Sequence, residues 1–533
     1  MQPQKFSNMK RILFFCLGLS LTCLIQAQTR VAVIGDPHVL ATSLFDNGSA
    51  FENAKNSNPR VVEYSQQLFD SAVAVIAAQR PDLVFIVGDL SNDGEKVSHQ
   101  HIVAKLTELQ TAGIQPIVIP GNNDIANKNA YSYSGDTKSK VLSVSEAEFA
   151  ELYAPFGLSQ AVSREQDSLS YMVYPNDKLA VLCLNSAKKN TPTQQFNEGG
   201  IYESTLAWAE QAVAQAKKDN RMVLALMHHQ ATDHFNMEQE MTPSYVANTT
   251  AEYPALEELQ MRLLAAGVQV VFTGHYHMTS IKHTLNEGRQ LYDVGTGSLS
   301  SYPSPIRWVT LANDGKMDIT TQFIDTYHAL ELQRNGNTAK GIINRIVDTA
   351  FPEIDKLKNS KAYQGFVLMF GENAFNLPTS KDQMRADISD CMLSSMTTLV
   401  NELSRGDENT RSPQENVDAC MAGFDAYLLD TICAVCHWSE EMEVYVKPVL
   451  LEAVKEYRDM LEDMCRSVFF NYVGSDPTQV VPDNTNTLQI DAPVTTVLHE
   501  INDLQPARKV LKDGQLYIRQ NNRLFDVVGK RVE

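Results

Sequence analysis

Between residue 30 and about 325, short apolar runs alternate with amphipathic stretches. The runs "RVAVIGD", "DLVFIVGDL", "QPIVIPGN", "LAVLCLNS", "RMVLALMHH" and "VQVVFTGH" hold four to six apolar, often β-branched residues each. That length and composition predict buried strands. In "VVEYSQQLFDSAVAVIAAQ", "HIVAKLTELQTAG", "TLAWAEQAVAQAKK" and "ALEELQMRLLAAG" the apolar residues recur at three and four, the spacing of a helix with one buried face. The alternation predicts an α/β domain with largely buried strands, assigned to residues 28–335. From about 336 to 473 the strand signal fades, and "GIINRIVDTAF", "RADISDCMLSSMTTLVNEL" and the stretch from "NVDACMAGF" to "MCRSVFFNYVG" predict a separate helical C-terminal domain. Residues 474–533 read as a linker, "GSDPTQVVPDNTNT", followed by a short β-like tail.

Five apolar runs end in residues that bind metals. "VIGDPH" ends in Asp36 and His38, "FIVGDL" in Asp89, "VIPGNND" in Asn122, "ALMHH" in His228 and His229, and "VFTGHYH" in His275 and His277. Each motif alone is commonly a loop or a cap. Together, each just beyond a strand, they gather where an open α/β sheet holds its ligands. Asp36 and His38, like His275 and His277, are two residues apart and share a face on extended backbone. Glycines at 35, 88, 121 and 274 precede four of the clusters, where a sharp turn is expected. Imidazole, carboxylate and amide donors in one set suit Mn, Fe, Zn or Ni.

The motifs Asp-x-His, Gly-Asp, Gly-Asn-x-Asp, His-His and Gly-His-x-His, in this order, resemble those of the calcineurin-like metallophosphoesterases. "GDLSNDGEKVSH" and "HHQATDH" are similar to segments of secreted or surface-attached bacterial members. The resemblance covers about 30–325 and implies a four-layer α/β/β/α sandwich holding two divalent transition-metal ions. It implies that Asp36, His38 and His277 hold one metal, that Asn122, His228 and His275 hold the other, and that Asp89 bridges them. It further implies hydrolysis of a phosphoester by a hydroxide bound between the two ions, with phosphodiesters slightly favoured. A phosphorylated small molecule or lipid headgroup is the expected substrate.

One position departs from the family. Asn122 and Asp124 match the Gly-Asn-x-Asp motif, but Asn123 stands where the family usually has a histidine thought to contact the phosphate and protonate the leaving group. An amide donates a hydrogen bond but supplies no proton near neutral pH. Asn123, Asp124 and His229 are the candidate catalytic residues, and His234 is a second possible proton source. Two rival readings follow: a phosphomonoesterase, and a catalytically weakened metal-containing protein that binds a phosphorylated ligand. His99 reads as structural, and Tyr302 or Arg307 in "GTGSLSSYPSPIRW" as pocket lining.

Composition narrows the setting. The 533 residues are 43% hydrophobic and 20% charged, as in globular chains, and the net charge of −19 argues against a nucleic-acid polymer as partner. Residues 1–27 carry Lys5, Lys10 and Arg11 before "ILFFCLGLSLTCLIQA" and read as a signal peptide. The expectation is an exported protein, periplasmic, surface-attached or secreted, with no stable membrane span after cleavage. "CAVCHW" fits a haem-attachment pattern, but a disulfide set or buried thiol cluster with Cys391, Cys420 and Cys465 accounts for it more simply, and Cys183 reads as a free core thiol. The final segment "GQLYIRQNNRLFDVVGKRV" resembles sorting tails of exported bacterial proteins, with a plain β-hairpin as the alternative.

Overall fold

The computed structural model describes residues 28–350 apart from 57, 192, 235–243, 246–251 and 287. It also describes 381–406, isolated positions from 364 to 466, and segments 485–492, 508–512, 515–520 and 523–525. The expected leader over 1–27 and the Cys433–Trp438 stretch lie outside these residues. Among the described residues, no helix is long and apolar enough to cross a membrane.

In chain order the strands are β1 (Thr29–Ile34), β2 (Leu83–Val87), β3 (Gln115–Ile119), β4 (Tyr131–Ser134), β5 (Thr137–Lys140), β6 (Ser163–Arg164), β7 (Tyr171–Asn176) and β8 (Leu179–Leu184). They continue with β9 (Met222–Met227), β10 (Val270–Thr273), β11 (Ser280–Asn286), β12 (Arg289–Gly295), β13 (Pro305–Leu311), β14 (Lys316–Phe323) and β15 (Thr485–Gln489). One sheet has the order β15-β14-β13-β1-β2-β3 and the other β11-β12-β10-β9-β8-β7-β6. β1, β2 and β3 run parallel, as do β8, β9, β10 and β12.

Strand periodicity builds the layers. Val31, Val33, Phe85, Val87, Ile117 and Ile119 of the first sheet share one core with Val181, Cys183, Leu224, Leu226 and Phe272 of the second. The alternate residues Ala32, Ile34, Val84, Ile86 and Val118 face outward onto helices Ser65–Gln79 and Lys96–Thr111. Ala180, Leu182, Val223 and Ala225 face outward onto helices Glu203–Lys218 and Leu256–Ala266. The result is the four-layer α/β/β/α sandwich, and its strands are apolar on both faces because both faces are covered.

Two features cross the boundaries expected from sequence. Helix His328–Ala350 begins before residue 336 and reaches back to the sandwich. Arg334 pairs with Glu63 at 2.8 Å, Tyr327 stacks on Tyr64, and Ser304 donates to Glu331. Helix Lys381–Arg405 packs on it, with Asn335 donating to Asn401 at 2.8 Å. β15 emerges from the expected linker and pairs antiparallel with β14, from Lys316 opposite Gln489 to Thr320 opposite Thr485. The chain divides into two compact units at Ala492 and Pro493. In the second, Arg508–Lys512, Gln515–Gln520 and Arg523–Phe525 form a three-stranded antiparallel sheet. Cys183 is a buried free thiol, and the Cys465 thiol is hydrogen-bonded to that of Cys420, both buried and free of disulfides.

Candidate metal centre

The five ligand segments follow β1, β2, β3, β9 and β10. Because these strands are parallel within their sheets, their carboxyl ends meet at one edge of the sandwich. His228 Nδ1 donates to the Val87 carbonyl at 2.8 Å and the Gly274 amide to the His228 carbonyl at 3.0 Å, while the His275 amide donates to both Asp36 carboxylate oxygens at 3.0 Å. Asp36, His38, Asp89, His275 and His277 have φ between 43° and 66°. That left-handed conformation is costly for residues with a Cβ and concentrates at functional sites. The glycines serve two needs. Gly88 has φ 91°, the turn expected there, whereas a Cβ on Gly121 would overlap Asp89 and one on Gly274 would overlap the Asp36 carboxylate.

Two donor clusters result. In the first, His38 Nε2 lies 3.0 Å from His277 Nε2, and Asp36 Oδ1 lies 3.9 Å and 3.5 Å from these nitrogens. In the second, Asn122 Oδ1 lies 3.1 Å from both His228 Nε2 and His275 Nδ1. Asp89 Oδ2 stands between them, 3.6 Å from His38 Nε2 and 3.4 Å from His228 Nε2. The chemistry of this donor set fits cations. With His228 Nδ1 donating to a carbonyl, a neutral ring points its Nε2 lone pair at Asn122 Oδ1 and Asp89 Oδ2, which are themselves acceptors. A divalent ion there would resolve that convergence of lone pairs; Asp36, His38 and His277 would hold an ion at the first cluster and Asn122, His228 and His275 one at the second, with Asp89 between them.

Residues 29–279 match the family model described as calcineurin-like phosphoesterase, and every residue of both clusters falls inside that match. The domain belongs to that family. Its chemistry is metal-dependent hydrolysis of phosphoesters. A dimetal phosphatase from Danio rerio is a structural neighbour at 13% identity and a TM-score of 0.37, over 55% of this chain and 96% of that one. No curated protein matches the chain.

Electrostatics of the phosphoesterase site favour bare donors at His38, His275 and Asp89, but not at His228. Burial lowers His38 well below the usual imidazole range and takes His275 down to about 3. Burial opposes charge on Asp89 too, but His228 and His38 outweigh it and hold the carboxyl well below the usual range. Burial likewise disfavours charge on His228, yet Asp89 overrides it and brings its pKa up to about 9. That shift favours a proton on the ring near neutral pH, which a cation bound there would displace.

The three candidate catalytic residues have other work in this geometry. Asn123 points inward: its amide Nδ2 donates to Asp89 Oδ2 at 2.7 Å and its backbone N–H to Asp89 Oδ1 at 2.8 Å. Asp124 accepts from the backbone of Gly121, Leu90 and Ser91 and from the Ser91 hydroxyl at 2.8–3.1 Å, bracing the loops after β2 and β3. Burial, with Asp89 nearby, pushes its pKa up to about 7. His229 uses both nitrogens, Nδ1 with the Ser186 hydroxyl at 2.8 Å and Nε2 with the Asn197 carbonyl at 3.0 Å. The carbonyl can only accept, so Nε2 carries the proton, and burial keeps the ring neutral. His234 meets Ser280 and Asp293, and Asp293 also accepts from the amides of Ala231 and Thr232. His99 is buried between Tyr153 and Ser91, structural as its position on a helix suggested. Arg307 is wholly buried, donating to the carbonyls of Gly295 and Ser280, and Tyr302 is buried beside Arg405.

Sequence reasoning missed Arg60 and Asp93. Arg60 Nη1 reaches His38 Nδ1, and the Asp93 carboxylate, held by the amides of Asn92 and Asn127, lies in the field of Arg60. Asp93 lies within "GDLSNDGEKVSH", but there "NDG" marks only a turn, and "NPR" at Arg60 marks only a loop, so neither residue was given a role.

Proposed function

We propose that this protein is an exported phosphoester hydrolase with two divalent transition-metal ions, Mn, Fe, Zn or Ni, acting on phosphodiesters of small molecules or lipid headgroups. The supporting observation is the sharing of Asp89 Oδ2 between the two donor clusters. Two ions so placed lower the pKa of a bound water and neutralise charge on the attacking and leaving oxygens. The protein's own residues orient that centre. Val87 fixes the His228 tautomer, Asn123 holds both oxygens of Asp89, and the His275 amide fixes Asp36. A diester is favoured over a monoester on charge: Arg60 reaches the His38 ring and the Asp93 carboxylate lies within its field, an environment better matched to one negative charge than two.

Loading with Mn²⁺ and comparing bis(p-nitrophenyl) phosphate with p-nitrophenyl phosphate tests this. The expected result is hydrolysis that disappears with chelator and is faster for the diester. Faster monoester cleavage overturns the diester preference. The inward turn of Asn123 and the engaged nitrogens of His229 favour a second reading, a phospho-ligand binding protein with weak turnover. Ligand binding without hydrolysis of either ester, at two bound metals per chain, selects that reading.

A further inference from the structure

Arg60 is half-buried, and its root is locked: the backbone N–H and Nε both donate to Asn58 Oδ1, at 2.9 and 3.1 Å. Among the described residues it makes no ion pair. Its Nη1 instead faces Nδ1 of His38, a ligand of the first cluster. An imidazole that binds a metal through Nε2 carries its remaining proton on Nδ1 and donates it. A guanidinium has five donors and no acceptor. These two groups therefore cannot remain hydrogen-bonded to each other once His38 engages an ion, and Arg60 must turn to an acceptor. Asn123, at the position usually given to a phosphate contact, is committed to Asp89. Asp93 is steadied by amides on both oxygens, at 2.7 Å from Asn92 and 3.3 Å from Asn127, and keeps acceptor capacity; a guanidinium with five donors can meet that carboxylate and a phosphoryl oxygen together.

We propose that Arg60 is the anion-recognising residue of this site, donating to a non-bridging oxygen of the substrate phosphoryl group, with the Asp93 carboxylate in its field weakening the binding of doubly charged phosphates. The inference deepens the phosphoesterase reading and rests on it. Arg60 forms no bond with the reacting oxygen and moves no proton. Its part is recognition, so its loss acts on KM more than on kcat.

The experiment uses the full, Mn²⁺-loaded protein with inorganic phosphate as the calorimetric probe and bis(p-nitrophenyl) phosphate as substrate. Arg60→Gln weakens phosphate binding and raises KM by ~10–100-fold, the range for one charge-assisted hydrogen bond, with kcat changed less and bound metal unchanged. Arg60→Lys, which keeps the charge but not the fork, recovers part of the loss. Asp93→Asn tightens phosphate binding. Wild-type phosphate affinity in Arg60→Gln at full metal content overturns the proposal. So does a loss of bound metal in both Arg60 variants, which would make Arg60 a support for His38 instead. If wild type binds phosphate through Arg60 yet hydrolyses no ester, the recognition role stands and the hydrolase reading fails.

Discussion

Asn123 Nδ2 lies 2.7 Å from Asp89 Oδ2, the oxygen that stands between His38 and His228. The amide thus orients the carboxylate common to both donor clusters. Asn123→Ala removes that orientation while keeping the backbone bond to Oδ1. Metal affinity is expected to fall by ~10–100-fold, the usual effect of losing such a partner. Metal titration into the metal-free protein measures it, and an unchanged affinity would separate Asn123 from the centre.

The same geometry leaves the leaving group without an evident proton donor. Esters with p-nitrophenolate as leaving group should be cleaved faster than alkyl esters by ~10²–10⁴-fold, the range that general acid catalysis normally supplies. His229→Gln should leave that ratio unchanged, because Ser186 and Asn197 already use both imidazole nitrogens. Rates measured across a series of leaving-group pKa values decide it. Equal aryl and alkyl rates in wild type would mean that another residue gives the proton.

Glu331 predicts a pH dependence of stability remote from the centre. The side chain is fully buried, accepts from Ser304 through Oε1, and has no partner at Oε2. Burial pushes its pKa from 4.5 up to about 7. The folded chain therefore holds a proton that the unfolded chain releases. Stability from this group is complete below about pH 4.5 and is lost as pH rises through about 7, on the order of 3 kcal/mol in all. Urea unfolding between pH 5 and 8 should show that decline in wild type and a shallower one in Glu331→Gln. Equal slopes would remove Glu331 from the account.

The seven donors of the two clusters were legible because each follows a run that is apolar on both faces. Parallel strands buried in this way end at one edge, so residues distant in sequence converge without any local signal of contact. Asp124 was misleading for the same reason that it was visible. It belongs to a motif, but its carboxylate is spent on the amides of Gly121, Leu90 and Ser91. Arg60 was invisible because a loop residue acquires its role only from what lies opposite. β15 was hidden because "TNTLQ" is polar, as suits an edge strand whose partner lies far away in sequence.

That pairing of β15 with β14 has a topological consequence. Residues between Phe323 and Thr485 are an excursion between two neighbouring strands of one sheet. The excursion tolerates changes of length, because loop-closure entropy grows only slowly with the number of residues. Its downstream end does not. A chain stopped at residue 473 lacks β15 and leaves the outer row of β14 amides and carbonyls open, a template for pairing with another molecule. Such a chain should self-associate in light scattering, whereas one stopped at residue 492, which keeps β15, should stay dispersed. At the upstream end of the excursion, helix His328–Ala350 grips the segment carrying Arg60, its Arg334 and Asn337 bonding Glu63, Asn58 and Asn56. The two ends of the detour thus do different work: one closes a sheet edge, and the other fixes the segment that carries Arg60.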